Sequence, residues 1–209
     1  MDLPGWPPLI LSFVLLGFLL GDYNVVWSQP ENLIKRQALL WRDQGTLWSQ
    51  ILAGFDWSLW ENGAPRLTRP LSSFLDLANA HFRVWFHATI FPHPSVSLTW
   101  IASLLLAPWF LFKAMRHLGL SAFWGLCGVG IYLSLPGQLS LMAMDFRGGK
   151  AALLLLMILM VYFLARARAG GAGRFGAWAL VVYGISLGTD ETALYGLALI
   201  FALLDYRRI

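Results

Sequence analysis

The sequence is short of charge. Of its 209 residues only 12% are charged while 58% are hydrophobic, whereas a soluble domain carries about a quarter charged residues. That deficit, with a mean hydropathy of +0.62, points to lipid as the main solvent. Cysteine is nearly absent as well. Cys127 stands alone inside an apolar run, which excludes an intramolecular disulfide and a cysteine metal cluster and fits a small core residue. No P-loop, G-x-G-x-x-G, H-E-x-x-H or G-x-S-x-G pattern occurs, so the common phosphate, dinucleotide, zinc and serine-nucleophile signatures are missing. There is no N-x-Ser/Thr sequon, internal repeat or low-complexity tract. The net charge is +4, and the bases sit beside apolar runs rather than along one stripe, which argues against nucleic acid as a partner.

What the sequence has is apolar runs, at 6–21, 96–112, 122–135, 151–164, 175–187 and 192–204. A helix needs about 20 residues to span the hydrocarbon. Several runs are a few residues short and extend through flanking Trp, Tyr and Arg, which tolerate the interface. The expected fold class is therefore an all-α membrane protein with about six transmembrane helices. It forms a single membrane domain over 1–209: a first span at 6–21, an outer loop at 22–95 and five further spans within 96–209. The fifth and sixth runs are joined by only Gly188-Thr189-Asp190-Glu191, so they read either as two tilted spans or as a hairpin that dips in and returns. The first run reads as an uncleaved helix, because the start Met1-Asp2-Leu3-Pro4 has no basic residue and the end Leu19-Leu20-Gly21-Asp22 has no Ala-x-Ala site.

Charge gives the orientation. Lys113 and Arg116 follow the second run, Arg166, Arg168 and Arg174 join the fourth to the fifth, and Arg207 and Arg208 follow the sixth. These basic segments alternate with 137–150 and 188–191, as six spans require. The positive-inside rule then places them and both termini in the cytoplasm, with the protein multi-pass in the plasma (inner) membrane. All eleven acidic residues except Asp2 and Asp205 fall on the opposite side. Acids contribute little to topology, so their sidedness invites a functional reading.

The long loop is too aromatic for a solvated tether, with Trp27, Trp41, Trp48, Trp57, Trp60 and Trp85. Leu33, Ile34, Ala38 and Trp41 form one apolar stripe between Pro30 and Gly45. Leu71, Phe74, Leu75, Ala78 and Phe82 form a second after Pro70. Both predict helices lying on the membrane surface, apolar face down.

The acids mark the candidate site. Asp22 follows the first run immediately, Asp145 precedes the fourth, and Asp190 and Glu191 occupy the turn between the fifth and sixth. A carboxylate at a membrane boundary needs a partner, an ion or water. Converging there, these groups suit a general base on a hydroxyl, or a divalent cation held against a phosphate. The bland alternative is that they cap helices; Asp190 and Glu191 sit where negative charge suits a helix N-terminus. Arg66 and Arg69 flank the second surface stripe, and Arg147 and Lys150 adjoin Gly148-Gly149. Arg69, Arg147 and Lys150 suit a phosphate or, equally, lipid headgroups. His81, His87 and His93 recur every six residues, a spacing that does not gather ligands on one helical face, so no metal site is assigned.

Two passages carry a family resemblance. One is Asp22-Tyr23-Asn24 after the first span, followed by Gln29-Pro30-Glu31. The other is Arg69-Pro70-Leu71 opening an amphipathic stretch to about Phe86. With the order of first span, long outer loop and closely spaced spans, the chain resembles GT-C class membrane glycosyltransferases, near the protein O-mannosyltransferases and the tetratricopeptide-bearing mannosyltransferases. That resemblance implies transfer of a sugar from a polyprenyl-phosphate donor at the outer membrane face to an acceptor it does not specify. Asp22 takes the base role; Asp145, or Asp190 with Glu191, takes that of a later outer-loop acid. The family's second adjacent acid is Tyr23 here, and the His and Asn at the start of the second span are absent from Ser95-Val96-Ser97-Leu98-Thr99. Complete members are longer, so the chain matches an N-terminal fragment or a reduced relative. The rival readings are a non-catalytic membrane subunit, a transporter module and an inactive fragment. The centres of the apolar runs hold no Lys, Arg, Asp or Glu, which counts against an ion-coupled transporter.

Overall fold

The computed structural model describes residues 6–21, 71, 74, 75, 78, 79, 81, 82, 85, 97–134, 148–189 and 191–205, without the side chains of 16–21, 172, 191, 204 and 205. Those residues are all-helical, and no strand occurs among them. The helices are α1 (Trp6–Gly21), α2 (Leu98–His117), α3 (Ala122–Ser134), α4 (Gly148–Arg166), α5 (Ala172–Leu187) and α6 (Gly196–Asp205). Each covers one of the six apolar runs. A turn at Ala167–Gly171 joins α4 to α5, and a 3-10 turn at Glu191–Tyr195 leads into α6.

Local chemistry explains several ends. Pro7 and Pro8 fall in the first turn of α1, where no intrahelical N–H is needed. Ser97, in extended conformation, caps α2 by accepting from the Trp100 N–H at 3.2 Å. Gly119 ends α2 at φ 89°, a left-handed position, and lets Leu120 N–H reach the Met115 carbonyl at 3.1 Å. Ser121 then caps α3 through Trp124 N–H at 3.4 Å, so α2 and α3 form a tight helical hairpin. Gly170, at φ 124°, closes the α4–α5 turn in the same way.

Contacts fix the directions. The Phe112 ring lies 3.0 Å from where a Cβ on Gly125 would be, and the Ser103 and Tyr132 hydroxyls are 3.5 Å apart, so α3 runs back along α2. Phe110 and His117 of α2 meet the Tyr162 ring of α4 at 5.3 and 5.8 Å. Those two helices are therefore parallel neighbours, with their C-termini together. Leu15, near the end of α1, packs against Trp100 and Leu104 near the start of α2, so α1 is antiparallel to α2. Helix α5 returns along α4, and α6 then packs on both, with Met160, Leu164, Ala179, Val182, Tyr183 and Ile200 forming one core. The last two apolar runs are thus a helical hairpin packed on α4.

Among the described residues two helical stretches are long and apolar enough to cross a membrane, Leu98–His117 and Gly149–Gly170. They are 44% and 39% buried within the protein, unlike the core helix of a soluble protein, which is mostly buried. The remaining apolar helices are shorter. Phe13, Phe123, Ile131, Leu180 and Phe201 are all more than half exposed, on helices that border the α2–α4 pair. Soluble monomers rarely expose contiguous apolar surface on that scale. These features associate the chain with a membrane.

Candidate functional site

The antiparallel order gathers chain ends. At the end where α2 begins lie the C-terminus of α1, the C-terminus of α3, the N-terminus of α4 and the C-terminus of α5. Residues of the long segment between α1 and α2 join them there. Leu71, Phe74, Leu75, Ala78, Asn79, His81, Phe82 and Trp85 are helical, as the spacing after Pro70 predicts. This stretch is tied to the bundle by a polar residue that the apolar pattern passes over.

Asn79 is 1% exposed. Its Nδ2 donates to Thr99 Oγ1 at 2.8 Å, and its Oδ1 accepts from the Thr99 backbone N–H at 3.1 Å. The N–H of Thr99 is one of the donors that the first turn of α2 cannot satisfy internally, so Asn79 completes the cap that Ser97 begins. Leu71, Leu75, Ala78 and Phe82 are half-buried on the same side as Asn79, whereas Phe74, His81 and Trp85 are exposed. The face expected to lie on the membrane surface thus includes the contact to the bundle. A buried Asn beside helical apolar spacing is the signal that sequence reasoning missed.

A second tie joins this stretch to the other hairpin. Leu71 N–H donates to the Gly188 carbonyl at 3.2 Å. A Cβ on Gly188 would sit 3.5 Å from the Leu71 Cβ, so the two backbones pass closely. Gly188 and Thr189 close α5 through N–H bonds to Ile185 and Ser186, both 3.0 Å. Thr189 Oγ1 also donates to the Ser186 carbonyl at 2.6 Å. Thr189 and Ser186 are fully buried, so the C-terminal end of α5 is anchored.

The expected site residues can be located against this frame. Lys150 lies in the first turn of α4 and is half-buried. Glu191 opens the 3-10 turn, with its side chain outside the described residues. Asp22, Arg69, Asp145, Arg147 and Asp190 lie outside the described residues altogether. Their described neighbours in sequence share one end of the bundle: Gly21 ends α1, Gly148 begins α4, Leu71 follows Arg69-Pro70, and Thr189 precedes Asp190. The structure ties Leu71 to Gly188 at this end. Trp41 and the first surface stripe, His87 and His93 also lie outside. Among the described residues no group of three His, Cys, Asp or Glu could hold a metal ion. Cys127 is a free, half-buried thiol in α3.

No protein family, curated protein or solved structure matches the chain.

Proposed function

We propose that the chain is a six-span membrane glycosyltransferase of the GT-C type, with both termini in the cytoplasm. It would transfer a sugar from a polyprenyl-phosphate donor at the outer face of the plasma (inner) membrane. The observation that carries this reading is the Leu71 to Gly188 hydrogen bond of 3.2 Å. It joins the segment opened by Arg69-Pro70 to the connection that contains Asp190 and Glu191. The same end receives the chain leading into Asp22 and the Gly148-Gly149-Lys150 start of α4. In the proposed mechanism Asp22 takes the proton from the acceptor hydroxyl. Arg69, Arg147 and Lys150 bind the donor phosphate, whose negative charge grows as the glycosyl bond breaks. Asp145, Asp190 and Glu191 complete the polar site, alone or with a divalent cation. Membrane lipid surrounds the helices and the donor's polyprenyl tail.

Asp22→Asn tests the base directly. Transfer from polyprenyl-phosphate sugar to acceptor should fall by about 10²–10⁴-fold, the usual contribution of a general base, while the melting temperature stays unchanged. Full activity in that variant removes Asp22 from the mechanism. The span number is tested separately by labelling single cysteines at positions 137, 169 and 190, in a Cys127→Ser background, with an impermeant maleimide. Labels at 137 and 190 from outside, and at 169 only after lysis, are expected.

A second reading, a non-catalytic membrane subunit or inactive fragment, is favoured by one feature. Buried polar side chains described at this end are satisfied within the protein: Asn79 with Thr99, Ser186 with the Tyr183 carbonyl and Thr189 with the Ser186 carbonyl. Under that reading, alanine at Asp22, Asp145 and Asp190 together leaves every function of the chain intact.

A further inference from the structure

The opposite end of the bundle holds a second polar assembly, which the proposed transfer does not use. Arg166, Arg168 and Arg174 stand at the end of α4, in the turn and in the first turn of α5. The chain reverses sharply at Gly170, with φ 124°, and the three cations flank this turn along the chain. Arg166 is not a loosely snorkelling side chain. Its Nη1 donates to the Tyr162 hydroxyl at 2.9 Å, and its guanidinium sits 4.1 Å from the Phe175 ring centroid. Tyr162 is buried, and it meets Phe110, His117 and Phe163. A guanidinium carries five N–H donors in a fixed fork, so holding it through one donor and its π-face leaves others to bind an oxyanion.

Beside these cations runs an aromatic ledge. Phe163 stacks on Phe175 and on Trp178, each at 6.4 Å between centroids. Trp178 is 48% exposed. Leu180, Val181 and Ile185, further along α5, are exposed as well. A phosphate seated on the arginines would therefore carry any attached acyl chain straight onto an apolar wall. A free phosphate would gain nothing from that wall.

We infer that the α4–α5 turn is a binding site for an anionic phospholipid, with the phosphate on Arg166 and Arg174 and the acyl chain along Phe175 and Trp178. The site rests on the membrane reading above but not on the transferase reading. Basic pockets between membrane helices on the cytoplasmic side are suited to such headgroups, each cation contributing about five-fold in affinity.

The purified full chain in detergent can be titrated with phosphatidylglycerol and phosphatidylcholine of the same acyl chains, bound lipid being counted by native mass spectrometry. Phosphatidylglycerol should bind about 25-fold more tightly, about five-fold for each of the two arginines. Arg174→Gln, at an exposed side chain, should reduce that preference by about five-fold. Arg166→Gln combined with it should abolish the preference. Trp178→Ala should weaken both lipids by the same factor and leave their ratio unchanged. Equal binding of the two lipids by the native chain, or an unchanged ratio in the double variant, overturns the site. Displacement of phosphatidylglycerol by millimolar inorganic phosphate would also overturn it, leaving a free-anion site in its place. Should the chain instead stay soluble after detergent removal with no lipid bound, the membrane reading itself has failed, a result distinct from loss of headgroup selectivity alone.

Discussion

The two ends of the bundle are held together by different chemistry. Where α2 begins, neutral polar groups are buried and paired: Asn79 with Thr99, and Thr189 with Ser186. Where α2 and α4 end, two cations lodge on aromatic faces, Lys113 over Trp109 at 4.3 Å and Arg166 over Phe175 at 4.1 Å. The first kind of tie is directional and costly to leave half-made, because a buried donor without its acceptor has no water to turn to. The second tolerates movement and leaves the charged head accessible. The first end is thus built to fix backbone positions, and the second to meet a charged surface.

Substitutions can break or sharpen that contrast. Asn79→Ala should have the largest effect on stability, removing two hydrogen bonds to Thr99 and costing about 2–3 kcal/mol at about 1–1.5 kcal/mol each. Its check is thermal unfolding in detergent, and a loss no greater than that of an exposed substitution would deny Asn79 its anchoring role. Between the ends, Gly196→Ala should cost about 1–3 kcal/mol by overpacking. The new Cβ would lie 2.9 Å from Tyr183 Cε2 and 3.1 Å from the end of Met157. Met157→Ala in the same chain should restore part of that loss. At the cationic end Arg166→Gln should lower stability by about 1–2 kcal/mol, the sum of an exposed cation–π contact and one hydrogen bond to Tyr162. The smallest change is expected at Tyr183, whose buried hydroxyl has no hydrogen-bond partner among the described residues. Tyr183→Phe removes an unsatisfied group, so the melting temperature should hold or rise. A marked fall would reveal a partner for that hydroxyl.

These contrasts also mark how far the sequence could be read. Each of α1 to α6 falls on an apolar run, because a long run with no internal charge has one low-energy state when its backbone must satisfy itself. The stretch after Pro70 was legible as helical from Leu71, Leu75, Ala78 and Phe82. Its docking was not, since Asn79 looks like any polar residue until Thr99, twenty positions away, is found beside it. Likewise Arg166 reads as a topology signal in sequence. Only the return of α5 sets Phe175 over its guanidinium. The candidate site lies between these cases. Asp22, Arg69, Asp145, Arg147, Lys150, Asp190 and Glu191 each lie near the border of an apolar run or a surface stripe. The bundle gives the described neighbours of these residues a common end.

The sequence by itself determined that this chain is helical and apolar, where its helices fall and on which alternate connections the cations cluster, because hydropathy and charge act locally along the chain. Only the tertiary structure decided which helices are neighbours, that α2 and α4 run parallel, and that Leu71 meets Gly188. Those contacts depend on shape at each interface, on Gly125 beneath Phe112 and Gly196 beneath Tyr183, and close packing of that kind leaves no periodic mark in a sequence.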